Sequence, residues 1–463
     1  MSTHLAESLQ RGDQVAVPGR SASGGLKHAV LNPWETLAQS IAGIAPSATP
    51  GMLIPIVFGF AGNGTWLSYL LATIGILFTA KCINEFACHS ACPGSLYTFV
   101  SRGIGPGAGI LTGWALLFAY IFCGSACIAE FAIYAMSVTK VLLHLNLTAQ
   151  AVMLAAAFST GFVAYKNIKL SATLMLWLEF ASISLILLVV ALTLSHHGPN
   201  LDLPQLQLTA VKSENVRMGL VMAIFGFVGF ESSASLGTEA HNPLKSIPQA
   251  IMRSVLLSGL FFVLCSYAMV LSFQDSATSL AKCSTPLLAM SDKAGIPILG
   301  QMIDIGIMMS FYAAGLANLN AAARTMYKMS HDGMFHDSLS QTHETNKTPH
   351  KAVIVSSCIS LFISITLASC NYPLLDIVGW LGTLATFGFI FAYLATSWSA
   401  ARMLKRQNEF NPGKLFVVSA SIAILLFSLI GSIYPAPPTP YNWLPWAFAT
   451  YMVIAIAVNR RKA

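Results

Sequence analysis

Charge is what this chain most lacks. Its 463 residues carry 25 Lys+Arg and 18 Asp+Glu, 9% of the total, where an ordinary soluble domain has about 25%. So few charges cannot cover a water-exposed surface on a chain of this length. A cytosolic enzyme and a disordered protein are both excluded. Chemical signatures are missing as well: there is no His-x-x-x-His, no Gly-x-Ser-x-Gly and no Gly-Lys-Ser/Thr. An integral-membrane enzyme or a nucleotide-driven pump therefore has no constellation to work with. No cofactor and no metal is expected, and nothing points to nucleic acid.

What is present is apolar length. Hydrophobic residues make up 55% of the chain and the mean hydropathy is +0.67. Twelve segments approach the ~20 residues a helix needs to cross a bilayer: 34–60, 65–89, 107–139, 145–165, 170–195, 215–239, 254–273, 297–326, 352–370, 374–401, 415–434 and 441–458. Strands are not expected, because the segments are too long and lack period-two alternation. The predicted class is an all-α polytopic membrane protein with 12 transmembrane helices.

The basic residues orient it. With the N-terminus inside, 20 of the 25 Lys and Arg fall on cytoplasmic loops, and only Lys140, Lys212, Arg217, Lys282 and Lys293 fall outside. A wrong helix count would scatter that bias. Both termini are accordingly expected in the cytoplasm of a multi-pass cell-membrane protein. Residues 1–33 lack an apolar core and read as a cytoplasmic tail without a signal peptide, ahead of a membrane domain at 34–459. The nine cysteines read as small apolar packing residues. Cys88 and Cys92 flank His89, and Cys123 and Cys127 lie four apart, with too few ligands near either pair for a metal. Cys283 and Cys370 both fall outside, where pairing stays open.

Helix-breaking residues mark a site. The run Ile41-Ala-Gly-Ile-Ala-Pro-Ser-Ala-Thr-Pro-Gly51 places Pro46 and Pro50 in the middle of the first span. The sixth span has Phe225-Gly-Phe-Val-Gly-Phe-Glu231, two glycines before a carboxylate. Either alone reads equally well as a kinked packing helix. As a pair they open two blocks of five spans, 34–195 and 214–402, the second inverted, with helices 11 and 12 at 413–459. Interrupted helices at matching positions of inverted repeats mark a transporter's midplane site. Free N–H groups near Thr49–Met52 suit a carboxylate and free carbonyls near Gly43–Ala45 suit an ammonium. A zwitterion fits.

Three stretches also carry a family resemblance: Phe225–Ser232 continuing through Gly237-Thr-Glu-Ala-His-Asn-Pro-Leu-Lys-Ser-Ile-Pro248, Asn320–Met334 followed by Lys347-Thr-Pro349, and Cys92-Pro-Gly-Ser-Leu-Tyr97. They resemble the amino acid permeases of the amino acid–polyamine–organocation (APC) superfamily. The resemblance implies a 5+5 inverted-repeat fold with two further helices, and amino acid uptake or exchange by alternating access. It implies substrate-carboxylate donors at Ser47, Ala48, Thr49 and Gly51. The chain departs from the family's Gly-Ser/Thr-Gly here, since Pro50 has no N–H, leaving the hydroxyl of Thr49 or Ser47 to substitute. It also implies an aromatic gate at Phe225, with ordinary core packing as its alternative, and amine-binding carbonyls across Ile224, Phe225, Gly226 and Phe227.

Carboxylates inside apolar spans cost roughly 2.5–3.5 kcal/mol each on insertion scales, so each needs a reason. Glu130, Glu179, Glu231 and Asp304 are such residues, and none of the eleven His lies centrally in a span. A desolvated Glu can carry a proton without metal or nucleotide, although Glu179 reads equally as a helix–helix hydrogen-bond partner. Some relatives place a lysine where this chain has Ser182, which leaves room for sodium there instead. Asn318 and Asn320 are polar groups of the eighth span, one or both facing the cavity in this reading. Arg324 reads as an inner-gate residue with Glu85 or Glu239, or as a positive-inside anchor. The expected substrate is a small amino acid, apolar or small polar, moved with a coupled or exchanged ion by a monomer or homodimer in the lipid bilayer. An amine, polyamine or ethanolamine permease, and a sodium-coupled symporter, are the alternatives.

Overall fold

The computed structural model describes residues 25–198, 202–274, 276–283, 285–408, 411–434 and 437–460. The tail residues 1–24, with Arg11 and Arg20, and the terminal Arg461 and Lys462 lie outside the described residues. Among the described residues the fold is all helix, with one isolated bridge between Leu31 and Ala240.

The first block opens with α1 (Pro33–Ile44), a π-helical turn (Thr49–Leu53) and α2 (Ile54–Ala61). It continues with α3 (Thr65–Ala87), the short α4 (Ser95–Gly103), α5 (Pro106–Leu143), α6 (Ala149–Lys166) and α7 (Ile168–His197). The second block opens with α8 (Ser213–Phe225), which ends in an irregular stretch and a 3₁₀ turn (Ser232–Leu236). It continues with α9 (Pro243–Phe273), the short α10 (Pro286–Lys293), α11 (Pro297–His331), α12 (His350–Ser369) and α13 (Leu374–Arg406). Two helices follow, α14 (Pro412–Gly431) and α15 (Leu444–Arg460).

Nine helical stretches among the described residues are long and apolar enough to cross a membrane by length and composition. The twelve sequence segments all overlap helix, but they are not all separate stretches of that kind. Pro33–Ala87 counts as one run of 55 residues. The α8 helix stops after 13 residues, and α6 has only 18, with Gln150 near one end and Lys166 at the other.

Helix ends follow local chemistry. Asn32 caps α1: its side chain accepts from Glu35 N–H at 2.9 Å while Glu35 accepts from Asn32 N–H at 2.8 Å, a reciprocal capping box. Pro33 occupies the first turn, where its missing N–H costs nothing. The outer surface is apolar: Trp177, Phe158 and Phe362 are 64%, 75% and 71% exposed. Large apolar groups in that number on an outer face require hydrocarbon rather than water around them. Inside, α5 and α11 lie along each other and carry many of the buried small residues, among them Ala119, Ala129, Ala314 and Ala321.

Candidate functional site

Both helix breaks are present, and they touch. The α1 helix stops at Ile44 because Pro46 disfavours a helical Ala45, and Ala45 takes a left-handed conformation at φ 51°, ψ 64°. Its N–H turns back to the Ile41 and Ala42 carbonyls, which leaves the Gly43 and Ile44 carbonyls outside the helical ladder. Pro50 cannot donate a ladder hydrogen bond, and the chain passes it in the π-helical turn Thr49–Leu53. On the other side α8 ends at Phe225. Gly226 and Phe227 N–H bond back to the Ala223 and Ile224 carbonyls at 3.1 and 3.0 Å, and Gly229 then adopts φ +90°.

Glycine makes the crossing possible. A Cβ on Gly43 would lie 2.5 Å from the Gly229 carbonyl oxygen, and one on Gly229 would lie 2.6 Å from that of Gly43. One turn away, a Cβ on Gly226 would meet Thr49 Oγ1 at 3.2 Å. Serines lace the two segments below the crossing: Ser40 Oγ donates to Ser233 Oγ at 2.7 Å and Ser232 Oγ donates to the Gln39 carbonyl at 2.9 Å. The first turn of a helix has no internal partners for its N–H groups. With Pro50 silent, Thr49, Gly51, Met52 and Leu53 carry the N–H groups of the turn, and Thr49 faces the end of α8. Ala45 and Ala48 form a small apolar cluster with Cys123, Cys127 and Ala314. A Cβ on Gly51 would meet the Tyr134 hydroxyl at 3.1 Å.

Of the sequence-predicted residues, Thr49 and Gly226 meet beside the crossing, whereas Gly51 faces Tyr134 and Ile307. Ser47 meets Ser182, whose hydroxyl donates to it at 2.6 Å, so the first break is tied to α7. The carbonyl of Ile224 already accepts within the turn. Phe225 is half-buried, whereas the Phe227 ring packs edge-on against Phe262 of α9, centroids 5.1 Å apart. Asn318 donates to its own helix at Ala314 O, 2.9 Å away. Asn320 lies in a polar seam, donating to Ser171 Oγ at 2.7 Å and to Gln39 Oε1 at 3.5 Å.

The intramembrane carboxylates differ in their surroundings. Glu231 is fully buried and doubly held: Tyr120 of α5 donates to Oε1 at 2.7 Å and Tyr393 of α13 donates to Oε2. The same Tyr393 oxygen accepts from Gly229 N–H at 3.1 Å. Glu179 accepts from Ser310 through Oε1 at 2.8 Å, while its buried Oε2 has no hydrogen-bond partner among the described residues. Glu130 is half-buried one turn before Tyr134. Of the two carboxylates considered for Arg324, the structure selects Glu239. Glu85 instead sits 3.7 Å from Lys414. Cys283 and Cys370 are free thiols; one follows the 3₁₀ turn Leu280–Lys282 and the other caps α12, so they belong to separate loops.

Sequence reasoning missed Tyr120, Tyr393, Ser310 and the serine lacing. A tyrosine inside an apolar span was the available signal, since a buried hydroxyl needs a partner.

Residues 36–459 match the family described as Amino acid permease. The chain is 25% identical to the branched-chain amino acid permease BcaP of Bacillus subtilis over 396 residues, 80% of this chain and 81% of that protein. It is 26% identical to the low-affinity putrescine importer PlaP of Escherichia coli over 316 residues, 66% of this chain and 68% of that one. Human cationic amino acid transporter 4 is 25% identical over 418 residues, 83% of this chain and 62% of the human protein.

Proposed function

The chain belongs to the amino acid permease family, and on that premise we propose that it is a secondary active transporter moving a small amino acid by alternating access. The observation that carries the reading is the backbone crossing of two interrupted helices at Gly43 and Gly229. Helix-end carbonyls before Pro46 and the N–H groups of the turn after it suit a substrate with an ammonium and a carboxylate on one carbon. In this reading Thr49, Gly51 and Ser47 receive the carboxylate, and Gly43, Ile44 and the Ile224–Phe227 stretch receive the amine. Phe225 closes over the substrate, with Asn318 lining the cavity behind Ala314.

Twelve spans in a 5+5 inverted repeat plus α14 and α15, with both termini cytoplasmic, complete the proposal. Corresponding features support the repeat. Each block opens on a broken helix, and each inserts a short helix, α4 or α10, before its third span. Glu179 is the proposed coupling carboxylate, because a buried oxygen without a donor is a ready proton acceptor; Ser182 and Ser47 adjoin it on the same side of the break. Glu231, held by two tyrosines, positions the unwound segment and relays its movement to α5 and α13. Asn320 belongs to the inner gate.

A binding and thermal-shift screen of purified protein against amino acids and amines tests the substrate class. Small α-amino acids should raise the melting temperature, and putrescine and ethanolamine should not. Stabilisation by amines alone would overturn the amino acid reading in favour of an amine permease.

A further inference from the structure

A cavity lies away from the crossing, where the Lys- and Arg-bearing ends of three helices meet. It encloses about 450 Å³ between the C-terminal end of α3, the last turns of α13 and the start of α14, within the roughly 300–1,000 Å³ typical of small-molecule sites. Its chemistry is mixed in one direction. Lys81 of α3 and Lys414 of α14 both line it, together with the apolar Val417 and Leu404. Lys81 makes no ion pair among the described residues. Glu85 lies 3.7 Å from Lys414 and both are about 30% exposed, so this carboxylate is engaged with Lys414 rather than with Lys81.

Two further features point at a ligand. Asn411 caps α14, its side chain accepting from Lys414 N–H at 2.9 Å. With Pro412 lacking a donor, the Gly413 N–H is the remaining first-turn group, and a Cβ on Gly413 would meet only Asn411 Oδ1, at 3.5 Å, so the backbone there is open to close approach. That end of a 20-residue helix favours an anion. Asn84, across the cavity, has its amide fixed by donation to the Pro248 carbonyl at 3.1 Å, and its Oδ1 is buried without a donor. An oxygen so placed calls for a hydroxyl. Just outside, Phe416 is 63% exposed and contacts Phe78 edge-on, so the cavity adjoins the face turned toward hydrocarbon.

We propose that this cavity is a binding site for an anionic phospholipid headgroup. The phosphodiester lies between Lys81, Lys414 and the Gly413 N–H, a glycerol hydroxyl donates to Asn84, and the acyl stems leave past Val417 and Phe416. Basic pockets between membrane helices bind anionic lipids in this way. The substrate site takes no part, so the inference stands whatever the chain transports.

The test uses delipidated full-length protein in detergent, titrated with dioleoyl phosphatidylglycerol, with dioleoyl phosphatidylcholine and with glycerol 3-phosphate, and read by melting temperature and native mass spectrometry. Phosphatidylglycerol should stabilise and be retained, while phosphatidylcholine and glycerol 3-phosphate should do neither. Each of Lys81→Gln and Lys414→Gln should weaken phosphatidylglycerol retention about fivefold, in line with the contribution of one basic residue at an anionic surface. Lys81→Gln reads the site without disturbing the Glu85 contact. Equal stabilisation by glycerol 3-phosphate would assign the site to a soluble phosphate and overturn the lipid. Unchanged phosphatidylglycerol retention in the Lys81→Gln protein would overturn the site itself.

Discussion

Arg324 and Glu239 meet as a two-point ion pair, Nε to Oε2 at 2.5 Å and Nη2 to Oε1 at 2.9 Å, with both side chains shielded from solvent. Arg324 also donates through Nη1 to the Asn320 carbonyl at 3.1 Å. Glu239 belongs to the loop that receives the segment leading into α1, where Val30 and Leu31 N–H bond to its carbonyl at 2.8 and 3.0 Å. The pair therefore joins α11, the sixth segment and the entry to α1 in one contact. A positive-inside anchor would leave Arg324 in water; here it locks three elements of the two blocks.

Removing one partner of a buried pair leaves an uncompensated charge, at about 3–5 kcal/mol. Glu239→Gln should lower the melting temperature of purified protein sharply, and Arg324→Gln should do the same. The double variant should recover part of the loss, because no lone charge remains. Additive losses in the double variant would show that the two residues act independently.

The crossing of the broken helices predicts unequal tolerance among glycines. Gly43→Ala drives a methyl into the Gly229 carbonyl, and Gly229→Ala adds strain at φ +90°. Both should abolish uptake in proteoliposomes and reduce the yield of folded protein. Gly107→Ala, where nothing lies within 4 Å, should change neither. The contrast is read from uptake normalised to the folded fraction.

Tyr120 and Tyr393 hold the same carboxylate but are not equivalent. Tyr120→Phe removes one hydrogen bond to Glu231, a loss of about 1.5–3 kcal/mol for a charged acceptor. Tyr393→Phe removes its bond to Glu231 and also the acceptor for Gly229 N–H. Uptake should fall further in Tyr393→Phe than in Tyr120→Phe. Equal effects would detach Gly229 from the argument.

The coupling role proposed for Glu179 has a direct test. Glu179→Gln keeps the Ser310 contact and removes the titrating oxygen, so exchange of labelled for unlabelled substrate should persist while response to an imposed pH gradient is lost. Ser310→Ala should leave the gradient response in place. If uptake by the Glu179→Gln protein still follows the gradient, the carboxylate is a structural hydrogen-bond partner.

The legible part of the site was local. Pro46 and Pro50 break α1 wherever it packs, since a missing N–H and a fixed φ act within one turn. Gly226 and Gly229 loosen the sixth segment for a similar reason, and the irregular stretch begins at the residue after Phe225. Serine roles were less legible. Ser47 and Ser182 were each singled out separately, but their contact spans 135 positions.

Residence in a bilayer, helical class and the positions of both breaks were determined by the sequence alone. Scarce charge, long apolar runs and proline or glycine within a span act through solvent and backbone, without knowledge of neighbours. Tertiary structure alone decided the partners. Glu239 rather than Glu85 faces Arg324, two tyrosines 111 and 162 positions away from Glu231 hold it, and Glu179 is left with one oxygen unanswered. A hydrogen bond depends on two groups arriving within about 3 Å in the right orientation, and packing of whole helices sets that distance.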